Sequence, residues 1–283
     1  MRGSSQPAAA RRKGAGPRII IAILLLYLFL PIVATLLFSI AKDWQSSILP
    51  TSYTLSWYGH IFSDPRFLFA VLRTLLVGVL TVSLGLAVMV PVIFVLAVYF
   101  PKWEKLLQIS VMLPFAFPPV VVAIGLIKLY SGGPVPLTGT IWILIAVYFI
   151  LIQPFIYQSV RSSLRTIHAK DLMEAAEVLG SGKMNAFLRI ILPNIWSGTL
   201  VACLLSFSMV FGEFVMGRML VGGEFETVQQ YLYNAMKVSG PSASAVVVTY
   251  FLFIFLISGI VLKLGKRKPK GYLAHPKPGG EDQ

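Results

Sequence analysis

The residues best placed to do chemistry lie in one polar segment, Arg161 to Leu192. It runs His168-Ala-Lys-Asp-Leu-Met-Glu-Ala-Ala-Glu-Val-Leu-Gly180, then Ser-Gly-Lys, then Met184-Asn-Ala-Phe-Leu-Arg-Ile-Ile-Leu-Pro193. Gly180-Ser181-Gly182-Lys183 has the look of a loop whose backbone N–H groups cradle phosphate. Such a loop also requires Ser or Thr after the lysine to hold Mg²⁺, a first glycine where this chain has Glu177 or Val178, and a preceding strand. Met184 follows the lysine and no strand precedes it, so the chain itself is expected to bind no nucleotide and no cofactor. Docking chemistry fits better. Leu172, Ala175, Ala176 and Leu179 recur at helical spacing. Asp171 sits where a helix dipole favours an acid, and Gly180 supplies a left-handed stop. A second helix is predicted from near Lys183, with Met184, Phe187, Ile190 and Ile191 on one face before Pro193. Two small alanines on an apolar face permit close approach to a groove in a partner protein. A helix lying on lipid would want a larger apolar face with Trp or Phe to insert.

Three further charges fall within or beside long apolar runs, where a charge is expensive and defaults to a functional candidate. Glu213, in Phe211-Gly212-Glu213-Phe214, and Arg73 are candidates for a solute pathway or gate, or for pairing with each other. Lys128, near the end of its run, is a weaker candidate, since a lysine there can snorkel to the interface. His60, His168 and His275 are isolated in sequence, so no metal site is expected. The one cysteine, Cys203, permits no internal disulfide and reads as a packing residue. Trp44, Tyr53, Trp57 and Tyr58 read as an interfacial aromatic belt.

The elements that must position these residues are membrane spans. Of 283 residues, 57% are hydrophobic and only 12% charged, half the roughly 25% of a soluble domain. A bilayer core takes about 20 apolar residues of helix. Six stretches qualify: about Ile19–Ile40, Phe67–Phe100, Leu106–Tyr130, Ile141–Val160, Ile195–Phe214 and Ala243–Leu264. Membrane barrel strands alternate and last only about ten residues; these runs do neither. The first run follows Arg11, Arg12, Lys13 and Arg18 but exceeds the ~7–15 residues of a cleaved signal, so it reads as a retained anchor. Pro114, Pro118 and Pro119 are predicted to break the third span. Pro31, Pro91 and Pro154 lie inside others. With the N-terminus inside, the basic residues of the connecting segments divide eighteen to four in favour of the cytoplasm, which places both termini there. The net charge of +13 thus sits in loops and tails, where it pins helix ends to anionic lipid rather than binding nucleic acid. Residues 1–18 and 265–283 read as cytoplasmic tails, with disorder expected over the first ~17 residues and after Lys268. Between them lies a membrane domain, 19–264, interrupted by the loop 161–192.

Glu174-Ala175-Ala176, three residues, Gly180, nine residues, then Ile190-Ile191-Leu192-Pro193 resembles the Glu-Ala-Ala-x3-Gly-x9-Ile-x-Leu-Pro signature of binding-protein-dependent ABC transporter permeases. The resemblance extends over roughly residues 15 to 265. Tyr53-Thr54-Leu55-Ser56-Trp57-Tyr58 and Asp64-Pro65-Arg66-Phe67 are most similar to the spermidine/putrescine-type branch. Arg73-Thr74-Leu75 departs from that branch's usual Asn-Ser-Leu, and puts a cation where a polycation would be repelled. Permeases for ferric iron, phosphonate or thiamine are the alternatives. The resemblance implies an all-α, type I importer permease in a bacterial inner membrane, working as half of a dimeric pore by alternating access. It implies a second permease subunit, an external solute-binding protein, and two ATPase subunits that bind ATP and Mg²⁺. The loop carrying Glu174, Ala175, Ala176, Gly180, Ile190, Leu192 and Pro193 would dock those ATPases. A secondary transporter should instead show inverted repeats with paired broken helices, and a membrane-embedded enzyme should cluster catalytic His, Asp or Glu. The sequence shows neither.

Overall fold

The computed structural model describes residues 15–44, 49–132 and 136–265. Arg11, Arg12, Lys13, the basic run from Lys266 to Lys270 and His275 lie outside the described residues, as do most of both expected tails.

Helix α1, Ala15–Ser39, is apolar on every side, and its side chains from Ile19 to Leu36 remain largely exposed. Such a helix is stable only in lipid or against another protein. A short antiparallel pair follows, β1 (Ala41–Asp43) with β2 (Ser52–Tyr53). Trp57 Nε1 donates to the Ala41 carbonyl at 2.9 Å, and the Ser39 and Tyr58 hydroxyls share a 2.7 Å hydrogen bond. The expected aromatic belt therefore also ties this turn together. Helix α2, Ser56–Ser63, leads to α3, Pro65–Val98. Its start is written in the sequence: Asp64 accepts from Arg66 N at 2.8 Å, and Pro65 fills the first position, where no donor is needed.

The third expected span is broken, as Pro114, Pro118 and Pro119 predict. Helix α4, Pro101–Met112, and one 3₁₀ turn, Leu113–Ala116, meet α5, Pro119–Tyr130, at 93°. Helix α6, Ile141–Thr166, runs past the expected end of its span, so Arg161 and Arg165 ride on its last turns rather than in a loop. Short helices α7 (Ala169–Val178), α8 (Lys183–Ala186) and α9 (Leu192–Asn194) precede α10, Trp196–Gly212. The segment Lys183–Asn194 meets α10 at 70°. Then come α11 (Val215–Leu220), α12 (Val228–Met236) and α13 (Gly240–Gly265). Among the described residues, four helices are long and apolar enough to cross a bilayer, and up to six spans result if each bent pair counts as one.

The core is the mutual packing of α3, α6 and α10, with α1 lying against α13 at the side. Small residues set the crossings, as membrane packing requires in the absence of a hydrophobic drive. A Cβ on Gly85 would stand 2.7 Å from Ile152 Cδ1, and one on Gly78 would stand 3.0 Å from the Phe207 ring.

Candidate functional site

The signature residues gather at one end of the bundle. His168 reverses the chain after α6 in a left-handed conformation, φ 50°. Helix α7 then buries Ala169, Met173 and Ala176 against the spans. Leu172 is half-buried, Glu174 and Ala175 are exposed, and Val178 and Leu179 stand 88% and 87% exposed. This corrects the single apolar face expected from the sequence. Ala176 belongs to the inner face, whereas Leu172, Ala175 and Leu179 form an outer stripe roughly a quarter-turn round the helix. The inner face is completed by Ala169 and Met173.

Gly180 is required by geometry. At φ +78° it closes α7 with paired bonds, Gly180 N to the Glu177 carbonyl and Ser181 N to the Ala176 carbonyl, both 2.9 Å. That is the Schellman arrangement, which glycine adopts without the Cβ penalty. The second half departs from a plain helix. Between α8 and α9, Phe187–Ile191 forms a π turn, with Leu192 N donating to the Phe187 carbonyl. Pro193 has no N–H to continue the ladder, and Asn194 Nδ2 reaches back to the Ile190 carbonyl at 2.8 Å. The wider turn divides the expected face: Phe187 and Ile191 are buried, Ile190 and Leu192 are half-buried, and Met184 and Pro193 are exposed.

At the opposite end the structure separates two candidates that the sequence allowed to pair. Glu213 closes α10 and caps α11. Its carboxylate accepts from Met216 N (2.8 Å), Gly217 N (3.1 Å) and the Tyr148 hydroxyl (2.9 Å). Arg73 instead lies over the Phe225 ring, 5.2 Å from its centroid. The Arg73–Glu213 pair is not formed. Lys128 is exposed near the end of α5. Around them, Arg66 pairs with Glu226 at 2.9 Å, and Asn234 Nδ2 donates to Glu226 at 3.0 Å. Tyr231 donates to Asp64 at 2.8 Å; burial first, then that carboxylate, pushes its phenol well above the ordinary range. Arg218 and Lys237 both face the Tyr233 ring, at 5.7 and 4.4 Å.

Sequence reasoning missed Tyr148, Thr74 and Glu104. Thr74 is buried on α3 and accepts from Val228 N at 2.9 Å. Glu104, between Lys102 and Lys105 near the start of α4, pairs with Arg161 on α6, with Arg165 at 3.9 Å. A lone acid at the foot of an apolar run needs a cation within reach, and that was the available signal for Glu104. Nothing in the sequence marks Tyr148 apart from the other aromatics.

Residues 89–269 match the family described as binding-protein-dependent transport system inner membrane component. The chain belongs to that family. It is 26% identical over 248 residues, 86% of this chain and 92% of the other, to a candidate 2-aminoethylphosphonate transport system permease protein of Salmonella typhimurium. It is 24% identical over 253 residues, 87% of this chain and 92% of the other, to the spermidine/putrescine transport system permease protein of Escherichia coli. Its fold is that of a bacterial alginate ABC transporter solved with an alginate-bound periplasmic protein. That likeness covers 92% of this chain and 96% of the other, with TM-score 0.71 at 16% identity. The chain is therefore a polytopic permease subunit of an ABC importer.

Proposed function

We propose that this permease couples a separate ATPase to solute passage through the α7–α9 loop. The observation that carries the reading is the outer stripe of α7: Ala175 and Leu179, with Val178 beside them, stand exposed and Leu172 half-exposed on a helix whose other face is fixed in the bundle. Apolar side chains held outward on a short, rigidly stopped helix suit a groove in a partner. In this reading Glu174 and Gly180 flank the contact, Ala176, Ile190 and Leu192 hold the loop against the spans, and Pro193 ends the second arm where it turns into α10. Two ATPases bind ATP and Mg²⁺, a second permease completes the pore, and both termini are cytoplasmic by the excess of basic residues on that side. Co-purification tests it: the tagged subunit should bring down a soluble ATPase, and an intact permease that brings none sinks the reading.

For the solute, the far end favours an anion-bearing molecule over a polyamine. Among the described residues there, Arg73, Arg218 and Lys237 rest on aromatic rings without an ion pair. Asp64, Glu213 and Glu226 are already engaged by hydrogen bonds, which leaves the exposed Glu224 against three cations. The two curated relatives are named for solutes that share a primary amine, but only 2-aminoethylphosphonate adds an anionic group. A solute-binding protein of this system should bind an aminoalkylphosphonate and leave putrescine unbound in calorimetric titration; the reverse order returns the assignment to polyamines.

A further inference from the structure

The two arms of the docking loop meet on one side chain of a span. Tyr99 closes α3, its N–H bonded to the Val95 carbonyl at 2.9 Å. From the second arm, Lys183 Nζ stands 4.7 Å above the centre of the Tyr99 ring. From the first arm, Glu177 lies on the side of the phenol, whose buried hydroxyl has no hydrogen-bond partner among the described residues. Glu177 and Lys183 sit on either side of the Gly180 stop, so the ring spans the joint between α7 and α8. Phe94, one turn earlier on α3, meets Tyr99 edge-on at 6.0 Å and packs on Phe187 of the π turn at 4.6 Å. The Lys183 and Phe187 contacts join the loop to α3, and the Phe94–Tyr99 pair links them within that helix.

Helix α3 is suited to carry a displacement. It is unbroken for 34 residues, about 50 Å at 1.5 Å per residue. Its other end is fixed to the far-end elements through Thr74 to Val228, Arg73 to Phe225 and Arg66 to Glu226. The broken α4–α5 pair offers no such rod.

We infer that Tyr99 is a positioning residue for transport: held under Lys183 and against Phe94, which packs on Phe187, it passes movement of the docked loop to α3 and so to the opposite end of the bundle. This rests on the docking role proposed above. It assigns a use to Lys183, which neither docking nor nucleotide binding requires.

The test uses the complete transporter in proteoliposomes, with its ATPase and binding protein, reading ATP hydrolysed per solute imported. Tyr99→Ala should leave the ATPase bound and raise that ratio about two- to thirtyfold, the range for residues that tune coupling between sites. Tyr99→Phe, which keeps the ring under Lys183, should stay near the wild-type ratio, and Lys183→Arg likewise. Lys183→Met should raise the ratio less than Tyr99→Ala and add little to it in the double variant. If Tyr99→Ala fails to insert, Lys183→Met decides: an unchanged ratio overturns the inference. Uptake and hydrolysis falling in step would show a merely structural role and also overturn it. A wild-type permease that holds no ATPase sinks the docking reading and this inference with it. ATPase retention with an unchanged ratio in every variant sinks the role of Tyr99 alone.

Discussion

The far end of this bundle and its docking loop treat their carboxylates and apolar groups differently. At the far end, three carboxylates are tied into the fold while Glu224 is exposed: Glu213 caps α11 and meets Tyr148, Glu226 holds Arg66 and Asn234, and Asp64 holds Arg66 N and Tyr231. At the loop end Glu104 is bridged to Arg161 at the foot of the spans, but on the loop itself Glu174 is exposed, with Lys170 near it at 3.7 Å, and Val178 and Leu179 project from the surface. Buried or bridged acids lose conformational freedom and gain bonded partners, which fixes geometry. An exposed apolar stripe does the reverse, since its stabilisation is realised only when something covers it. One end is therefore built to hold a shape and the other to receive a partner.

The largest expected effect breaks the loop side of that contrast. Leu179→Asp places a charge on the outer stripe without touching the buried face of α7. If Leu179 is a central contact, its loss costs about 2 kcal/mol or more, and ATPase co-purified with the subunit should fall at least tenfold. Insertion and thermal stability of the isolated permease should stay unchanged. Full ATPase retention would show that the stripe is not the contact. Gly180→Val comes next. A β-branched residue held at φ +78° is strained by about 1–3 kcal/mol, so uptake should drop severalfold. Gly180→Asn should be milder, because Asn enters the left-handed region more readily. Equal loss in both variants would locate the defect in space rather than in backbone strain, although a Cβ at Gly180 meets nothing within 4 Å.

How much of this was legible in advance follows from the range of each signal. Spans are long-range averages of hydropathy, and the broken third span follows from three prolines, so both could be read from the chain. The helix α7 and its stop at Gly180 depend on neighbours within one turn and were equally readable. Which face of α7 turns inward was not, because Ala176 and Ala175 are chemically identical and only the position of α3 and α6 distinguishes them. The π turn at Phe187–Ile191 was hidden for a related reason. Pro193 announces a lost donor but does not say whether the chain will bend, widen or stop. At the far end, Glu213 and Arg73 were both found as costly charges. Their partners, Tyr148 and Phe225, lie 65 and 152 residues away, beyond any spacing rule.

A medium effect tests whether Glu213 holds shape rather than solute. Glu213→Gln keeps one carbonyl acceptor but removes the charge that favours a helix N-terminus. Losing a good cap costs about 0.5–2 kcal/mol, so the melting temperature of the purified permease should fall. Tyr148→Phe should lower it less, since the cap on Met216 and Gly217 survives. If both variants melt like wild type while uptake at low solute falls, Glu213 acts on the solute and the far end is not the rigid side of the comparison.

The smallest expected effect is a coupling near zero. Arg73 and Glu213 were natural partners on sequence grounds, two opposite charges at the same end of neighbouring spans. In the fold Arg73 lies on Phe225, while Glu213 is occupied by Tyr148 and two backbone donors. Groups that share no partner act independently, so the stability changes of Arg73→Gln and Glu213→Gln should add to within about 0.3–0.5 kcal/mol. Uptake separates the two further. Arg73→Gln should weaken transport of an aminoalkylphosphonate at low concentration while leaving the melting temperature close to wild type, because a cation resting on one ring contributes only about 0.5–1 kcal/mol when accessible to water. Rescue of either single variant by the other would mean that the charges do meet during the transport cycle. The far end would then rearrange as much as the loop end, and the contrast between a fixed end and a receiving end would fail.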